Sequence, residues 1–332
     1  MAYSLFRGKK KQDIYTIAFY NLENLFDTRN DPHKLDDDFT PKGFKKWTPK
    51  RYRRKIKKLS KTIARLGKRT SKHPPVLVGL AELENKLVIK ELLSTKALRE
   101  MGYKYVHYDS PDERGIDTGL LYHPGHFEVI SSENIHLDVN NPDGRPDATR
   151  DILYVYGKLH GEPQHIFVNH WPSRRDGTTE TAYKRIKAAK TIHKKMEMIE
   201  EGDRDPNYFI MGDFNDGPFD ESIRTLLSNT ELFNPMEKLI GRDRGSANYK
   251  QRWSLFDQII LSNTFFNKGS LHHSFAHANI FDDHLLKEWH GRYKGNPFRT
   301  YVGKKYLGGH SDHFPVYIQL RFRKPKEQET GH

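Results

Sequence analysis

The chain has 332 residues, no cysteine and a formal net charge of +13, so disulfides, thiolate metal sites and a cysteine nucleophile are excluded. The basic balance favours a polyanionic partner such as nucleic acid, an anionic membrane surface or a phosphorylated small molecule. Solvated helix faces would give the same excess of lysine and arginine. No apolar run reaches membrane-spanning length. The N-terminal MAYSLFRGKKKQ lacks the apolar segment of a signal peptide, so we expect a cytoplasmic protein unless a leader has been removed.

Short runs rich in Val, Ile, Tyr and Phe recur along the whole chain and predict strands. They cover 14–19, 76–81, 103–108, 152–159, 165–170, 207–212, 255–262 and 315–322. Two segments, 28–47 and 240–252, are polar and predict long loops. A third, 270–308, is rich in His and aromatic residues and fits no regular pattern.

Helical spacing appears in fewer places. Thr48 before Pro49 is a typical helix start, and apolar residues follow it at helical spacing: Tyr52, Ile56, Leu59, Ile63 and Leu66. Residues 86–101 predict a second helix that ends at Gly102. Residues 182–201 predict a third, which ends at Gly202 and has Ile186, Ala189, Ile192, Met196 and Ile199 on its inner face.

No Gly-, Ser- or Pro-rich linker divides the chain, and no short repeat is visible. A mixture of strands and covering helices without a linker is typical of one α/β domain. We assign that domain to residues 14–323, between a basic N-terminal tail (1–13) and a C-terminal tail (324–332). We expect the protein to be a monomer.

Polar side chains follow several predicted strands at the point where each strand ends. Sites built on strand ends are held rigidly by the sheet and remain open to solvent. A further Asp-His pair, in GGHSDHFPV, stands just before the last strand. The polar residues at these places are Asn21, Glu82, His170, Asp213, Asn215, Asp257, Ser311, Asp312 and His313.

This set of residue types indicates one chemistry. Carboxylates and amides without cysteine form a hard-oxygen site suited to Mg²⁺, Mn²⁺ or Ca²⁺. His170 and His313 are then available for proton transfer or contact with a phosphate oxygen. Bidentate hydrogen bonds to phosphate could come from Arg114, Arg150 and Arg174. Together these are the components needed for hydrolysis of a phosphoester.

A plainer interpretation exists for each residue alone. Asp213 and Asn215 could form an ordinary turn, Asp312 and His313 could cap one, and His170 could be a buried structural histidine. Polar residues that share one chemistry interrupt the apolar pattern at several strand ends, and this repetition is harder to explain by ordinary turns.

Seven motifs in order resemble those of the endonuclease/exonuclease/phosphatase superfamily, the DNase I-like metal-dependent phosphoesterases. They are FYNLENLFD, GLAELEN, RGIDTGLLY, VNHWPSRR, IMGDFND, LFDQIILS and GGHSDHFPV, and they extend from about Ile14 to Phe322. The resemblance implies a four-layer α/β/β/α sandwich, in which two mixed β-sheets pack face to face and helices cover the outside.

The resemblance also implies roles for single residues. Glu82 would be the main metal ligand, with Asn21 and Asp312. Asp213 would orient or deprotonate the attacking water. The scissile phosphate would be contacted by Asn215, by His313 with Asp257 behind it, and by His170, which could instead protonate the leaving oxygen.

Some positions depart from the family pattern. Many members have Gln before the metal glutamate, where this chain has Ala81, and a second acid, Glu84, follows. Abasic-site endonucleases usually have Tyr at the position of His170, so that activity is disfavoured. The extended closing motif of inositol phosphatases is absent after His313.

Three function classes remain. The first is a Mg²⁺-dependent phosphodiesterase, an endo- or exonuclease acting on nucleic acid. The basic segment 42–72, with Trp47 and Tyr52 among its cations, supports it, although such cations also suit the wet face of a helix.

The second class is a phosphatase or phosphodiesterase for lipid head groups, inositol phosphates or other small esters. Trp289, Tyr293 and Phe298 could then form a membrane-contacting loop. The third, a binding protein without activity, is disfavoured because Glu82, Asp213 and His313 are all present.

Overall fold

The computed structural model describes residues 13–266 and 272–322. In chain order its strands are β1 (Asp13–Leu25), β2 (Leu77–Leu83), β3 (Lys104–His107), β4 (Asp117–Tyr122), β5 (Phe127–Ile135), β6 (Ile152–Leu159), β7 (Glu162–His170), β8 (Tyr208–Asp213), β9 (Leu232–Phe233), β10 (Ala247–Tyr249), β11 (Arg252–Ser254), β12 (Asp257–Ser262), β13 (His273–Ile280), β14 (Tyr301–Val302), β15 (Lys305–Tyr306) and β16 (Val316–Phe322).

The α-helices of these residues are α1 (Pro49–Ile63), α2 (Lys86–Ser94), α3 (Ala182–Glu200) and α4 (Glu221–Leu227). Short 3₁₀ turns cover Asp37–Phe39, Arg99–Met101, Pro235–Lys238, Asn263–Phe266 and His284–Leu286. Across 13–266 and 272–322, none of the helices combines the length and apolar character that crossing a membrane requires.

The large strands form two six-stranded sheets. The first has the order β13-β16-β1-β2-β4-β3 and the second the order β5-β6-β7-β8-β12-β9. Each sheet is mixed, because β1 runs parallel to β2 and β7 parallel to β8, while the other pairings are antiparallel. In a parallel pair the carboxyl ends of both strands lie at the same edge.

The sheets pack face to face over a core to which both contribute. Buried Ile17 and Phe19 of β1 and Ile318 of β16 belong to the same apolar cluster as Phe209 and Met211 of β8. The approach is close, since a Cβ added at Gly79 would lie 2.6 Å from the sulfur of Met211. This shared core supports our proposal of a single domain for residues 14–323.

Helices cover the outer face of each sheet. On the first sheet, Tyr52, Ile56 and Leu59 of α1 are buried against it together with residues of α2. Helices α3 and α4 pack on the second sheet, and Ala188 and Ile192 are among the residues buried there. The predicted four-layer α/β/β/α sandwich is confirmed.

All eight predicted strands exist, with ends that differ by a few residues. Four members of the two six-stranded sheets, β4, β5, β9 and β13, are not among the strands predicted from apolar runs. β4 is a short inner strand and β9 has only two residues. β5 and β13 are edge strands, and their side chains are a mixture of buried, half-buried and exposed positions. One exposed edge and polar residues such as Ser, Glu and His leave such strands without a strong apolar pattern.

The predicted helix over 86–101 is wrong in its second half. α2 ends at Ser94, and only the short turn Arg99–Met101 precedes Gly102, whose φ is 67°. Hydroxyls end the helix: Ser94 Oγ donates to the Glu91 carbonyl at 2.8 Å and Thr95 Oγ1 to the Leu92 carbonyl at 2.9 Å. Side-chain hydrogen bonds of this kind compete with helical ones.

Two other expectations change in detail. The predicted loop 240–252 contains strand β10 and the turn of a hairpin with β11. The unassigned segment 270–308 contributes β13 to the first sheet. The predicted tails, 1–13 and 324–332, lie outside the described residues apart from Asp13, which begins β1, and the predicted domain end at residue 323 lies outside them too.

Candidate active site

The polar strand ends predicted from the sequence meet at one end of the sandwich. Asp213, at the end of β8, is in register with Asp257 on β12 and with His170 on β7. Asn21 on β1 is in register with Ala81, the residue before Glu82. The two parallel pairs thus deliver side chains from both sheets to one place.

Glu82 lies at a break in β2. Its φ is 60°, and the register with β4 shifts between Ala81 and Leu83. A bulge of this kind redirects a side chain out of the regular alternation, and a left-handed non-glycine residue costs about 1–3 kcal/mol, usually at functional sites. The carboxylate accepts from Asn24 N at 2.8 Å and from Asn21 Nδ2 at 3.2 Å.

Asn21 joins the two sheets. Its buried amide donates to Asp213 Oδ2 at 2.9 Å as well as to Glu82, and its Oδ1 accepts from Glu23 N at 2.9 Å. Two carboxylates therefore converge on one amide group. Burial raises the pKa of Asp213, although the His313 charge opposes that shift.

His313 is held by Asp257. Its Nδ1 lies 2.6 Å from Asp257 Oδ2, and its Nε2 faces Asp213 Oδ2 at 3.9 Å. Burial alone would lower the pKa of His313, but Asp257 and Asp213 outweigh it and raise that pKa well above its ordinary value. Asp257 itself is fully buried, so the pair has one solvent-facing member.

His170 faces the same carboxylates. Its Nε2 is 3.8 Å from Glu82 Oε1 and 4.0 Å from Asp213 Oδ2. Burial, followed by the charges of Arg150, Arg114 and His313, lowers its pKa well below the ordinary value. Burial therefore favours a neutral imidazole at His170, whereas the neighbouring carboxylates favour a cationic one at His313.

Asn215 completes the turn after β8 with a φ of 50°. Its backbone N–H donates to Asp213 Oδ1 at 2.9 Å, and its Nδ2 donates to the Trp171 carbonyl at 2.9 Å. An amide carries two N–H hydrogens, so this contact leaves the second hydrogen for another acceptor.

The predicted phosphate-binding arginines differ in their surroundings. Arg150 is buried and donates to Asp112 and to the Trp171 carbonyl, while Arg114, beside Asp112, is more exposed. Both are close enough to His170 to lower its pKa. Arg174 binds Asp216 and Asp220, so its guanidinium is already occupied by carboxylates, which counts against its predicted role.

Asp312 lies beside the other predicted ligands but has a partner of its own. Its Oδ2 lies 2.5 Å from Arg299. Burial would raise the pKa of Asp312, but His313 and Arg299 outweigh it and lower that pKa. The carboxylate is thus ionised, and its predicted role as a metal ligand stays a prediction.

A buried network beside Asp312 was not predicted. Lys55 Nζ donates to the Glu23 carbonyl at 2.5 Å and to Thr300 Oγ1 at 2.6 Å, and it lies 3.6 Å from Glu23 Oε2. Glu23 also accepts from Thr300 N at 2.6 Å. The network fastens the segment that carries Arg299 to the end of β1. Glu23 and Thr300 are 277 positions apart, so no local pattern could reveal it.

Replacing Lys55 with methionine is expected to lower the free energy of unfolding by about 3–5 kcal/mol, since it leaves a buried carboxylate without its cation. Burial already lowers the pKa of Lys55 and raises that of Glu23. Urea denaturation measures the loss. The double variant Lys55→Met/Glu23→Gln should recover part of it, and a loss that is unchanged in the double variant would contradict this account.

Trp47 and Tyr52, the two rings predicted to bind a ligand from the basic segment 42–72, are not available to one. Trp47 is 0% exposed and Tyr52 6%, and both belong to the core under α1. The prediction that these rings interleave with cations on a binding surface is therefore wrong. Arg53, Arg54 and Lys57 are exposed on the outer side of α1, as on the wet face of an amphipathic helix.

The site fits a divalent cation. Glu82 and Asp213 place carboxylate oxygens around Asn21, and a further group, Asp213, Asp257 and His313, has ligand atoms within 4.8 Å of one another. Burial of Asp213 against other carboxylates disfavours its charge, and a cation would remove that cost. Oxygen-rich sites of this type suit Mg²⁺, Mn²⁺ or Ca²⁺.

The sandwich fold and this site define a phosphoester hydrolase. The chain belongs to the endonuclease/exonuclease/phosphatase family, whose model matches residues 16–322. The predicted superfamily is thereby confirmed, and the protein is a phosphoesterase. A search of curated proteins found no match.

Solved structures have the same fold. An endonuclease/exonuclease/phosphatase family protein from Bacteroides thetaiotaomicron has a TM-score of 0.58 at 19% identity over 96% of this chain and 98% of its own. The mannosyl-6-phosphatase Bt3783 of that organism has 0.56 at 18% over 93% and 100%. D. rerio TDP2 complexed with a single-strand DNA product has 0.56 at 17% over 93% and 99%. Identities this low establish the fold and leave the substrate open.

Proposed function

We propose that this phosphoesterase is a Mg²⁺-dependent phosphodiesterase that cleaves nucleic acid, as an endo- or exonuclease, by attack of water on phosphorus. The main support is the geometry around Asp213, which has a cationic His313 on one side and the Asn21–Glu82 pair on the other. A base, a cationic hydrogen-bond donor and a cation-binding carboxylate then surround one position.

In this proposal Glu82 and Asn21, with Asp312, would hold the cation, which would supply Lewis-acid withdrawal of charge from the phosphoryl group. Asp213 orients the attacking water or accepts its proton, for which a raised pKa is suitable. Asn215 holds a non-bridging phosphate oxygen with its second amide hydrogen.

The two histidines have different parts. His313, whose pKa is raised, stabilises the charge that develops on phosphate. His170, whose pKa is lowered, is neutral, and this favours contact with a phosphate oxygen over protonation of the leaving oxygen. Arg114 and Arg150 add positive potential on the same side.

Nucleic acid is the preferred substrate because the net charge of +13 suits a polyanion that makes many phosphate contacts. The D. rerio TDP2 structure, complexed with a single-strand DNA product, supports this choice by analogy of fold. The monomeric state and the cytoplasmic location stay predictions from the sequence.

A small phosphate ester is the second candidate, and one observation favours it. A cavity of about 220 Å³ beside Asn24 and Asp312 is lined by Lys45, Arg299 and Tyr301 among others. It could hold a polar group of a compact substrate, and the fold relative Bt3783 is a mannosyl-6-phosphatase.

A parallel substrate test separates the two candidates. The protein with Mg²⁺, Mn²⁺ or Ca²⁺ is offered plasmid DNA, RNA, bis-p-nitrophenyl phosphate, inositol phosphates, mannose 6-phosphate and sphingomyelin. We expect cleavage of nucleic acid and of the synthetic diester, and little release of inorganic phosphate from the monoesters. Rapid monoester hydrolysis with intact nucleic acid would favour the second candidate instead.

A further inference from the structure

Two protruding segments beside His313 form one surface. The first is the β10–β11 hairpin, residues 247–254, and the second is the loop 287–297; we call them together the aromatic ridge. Ala247 forms a β-bridge with His313, and Phe314 N donates to the Ser246 carbonyl at 2.7 Å. The first segment of the ridge is therefore joined directly to the backbone of the active site.

Ring, turn and hydrogen-bond contacts hold the ridge in place. Trp253 stacks on Phe314, with ring centroids 5.9 Å apart. The hairpin turns at Lys250 and Gln251 with φ values of 48° and 65°, as in a two-residue turn of the type that fits twisted strands. Asn296 Nδ2 donates to Asn248 Oδ1 at 3.1 Å and links the two segments.

The ridge exposes large aromatic rings to solvent. Tyr249 is 71% exposed, Trp289 54% and Tyr293 51%. Single exposed apolar residues are ordinary, but a group of rings on one protrusion beside a site indicates a binding surface.

Cations alternate with these rings. Residues 247–254 contain no acid and residues 287–297 only Glu288, whereas exposed Lys250, Arg252, Arg292 and Lys294 flank the rings. Lys250 Nζ lies 5.2 Å from the Tyr249 ring centroid and Arg292 Cζ 5.9 Å from that of Tyr293. Rings for bases and cations for phosphates are the components of a surface for single-stranded nucleic acid.

We propose that the aromatic ridge binds the single-stranded part of a nucleic-acid substrate, with bases stacked on Tyr249, Trp289 and Tyr293, and so leads the strand to the active site. This rests on the proposed nuclease function and specifies its substrate. A membrane is disfavoured because the rings are separated by cations, and Phe298, predicted as a third ring of a membrane loop, is half-buried beneath Lys58. Duplex DNA keeps its bases stacked inside and cannot use the rings.

The test measures binding of a fluorescein-labelled oligothymidylate in EDTA, where cleavage is prevented. Trp289→Ala and Tyr293→Ala should each weaken binding roughly 5- to 150-fold, since stacking of one base contributes about 1–3 kcal/mol. Arg292→Gln with Lys294→Gln should reduce the slope of log affinity against log salt by about 0.7 per lost contact. Trp289 fluorescence should be quenched on binding.

Two controls are available in the chain. Phe266→Ala removes another exposed ring, 44% exposed, beyond the opposite end of β12, and should leave affinity unchanged. Replacing Arg53, Arg54 and Lys57 of α1 with glutamine removes charge from a helix face outside the ridge and should leave most of the salt slope in place.

Other outcomes would overturn the proposal. The proposal is wrong if the ridge variants bind the oligonucleotide with the affinity of the wild type, or if they lose as much affinity for duplex DNA as for the oligonucleotide. It is also wrong if the variants lose only binding to phosphatidylcholine–phosphatidylserine vesicles. Failure of the nuclease function is seen separately. If the wild-type protein with Mg²⁺, Mn²⁺ or Ca²⁺ leaves nucleic acid intact, the proposed function fails, whereas unchanged ridge variants of an active nuclease contradict the ridge alone.

Discussion

Replacing His313 with alanine is expected to lower kcat/KM for a phosphodiester by roughly 10²–10³, the effect of removing one donor that stabilises developing charge. His313 is placed for that role, because its Nδ1 is held by Asp257 at 2.6 Å while its Nε2 faces Asp213. Steady-state kinetics with bis-p-nitrophenyl phosphate measure the loss.

The pairing itself is tested by a double-mutant cycle. Asp257→Asn should cost less than His313→Ala, and the double variant should be hardly slower than His313→Ala, since residues that act as a unit are not additive. His136→Ala is a matched control, because His136 also contacts an aspartate, Asp151, at 2.9 Å but is largely exposed outside the site. Additive losses from the two single variants would contradict the pairing.

Changing Glu82 to glutamine is expected to weaken binding of Mg²⁺ or Mn²⁺ at least about tenfold and to reduce activity strongly, because a hard cation prefers a charged carboxylate oxygen. The fold should persist, since an amide oxygen can still accept from Asn24 N and the position keeps its shape. Calorimetric titration with each metal is the measurement.

The same motif contains the control for this change. Glu84 lies two residues further on, and its carboxylate accepts from Asp27 N. Glu84→Gln should leave metal affinity close to that of the wild type. Equal metal affinity in Glu82→Gln and wild-type protein would remove Glu82 from the proposed site.

The sequence predicted the strands that build the sheets because their apolar residues are buried on both faces or alternate cleanly. The polar residues at the strand ends could also be predicted, because residues such as Asn21 and Asp213 interrupt an apolar run. The edge strands β5 and β13 were missed, since half-exposed strands mix polar and apolar residues. The short strands β4 and β9 were also absent from the predicted apolar runs.

Long-range contacts account for most of what could not be predicted. The ion pair of Asp312 with Arg299 and the burial of Lys55 depend on the path of residues 281–301 over the end of β1. Trp47 resembled a ligand-contacting ring because lysines surround it in sequence, whereas in the fold it fills the core under α1. The residues next to a side chain in the sequence do not show whether the fold buries it.

The pairing of the first strand with the last has a consequence for the protein during its synthesis. β1 carries Asn21, whereas His313 lies three positions before Val316, where β16 begins, and Asp13 pairs with Phe322 along the same ladder. A nascent chain that has not yet released β16 from the ribosome lacks His313 and leaves one edge of β1 unpaired. Because contacts so distant in sequence form late, we expect the enzyme to become active only when translation of the domain is complete.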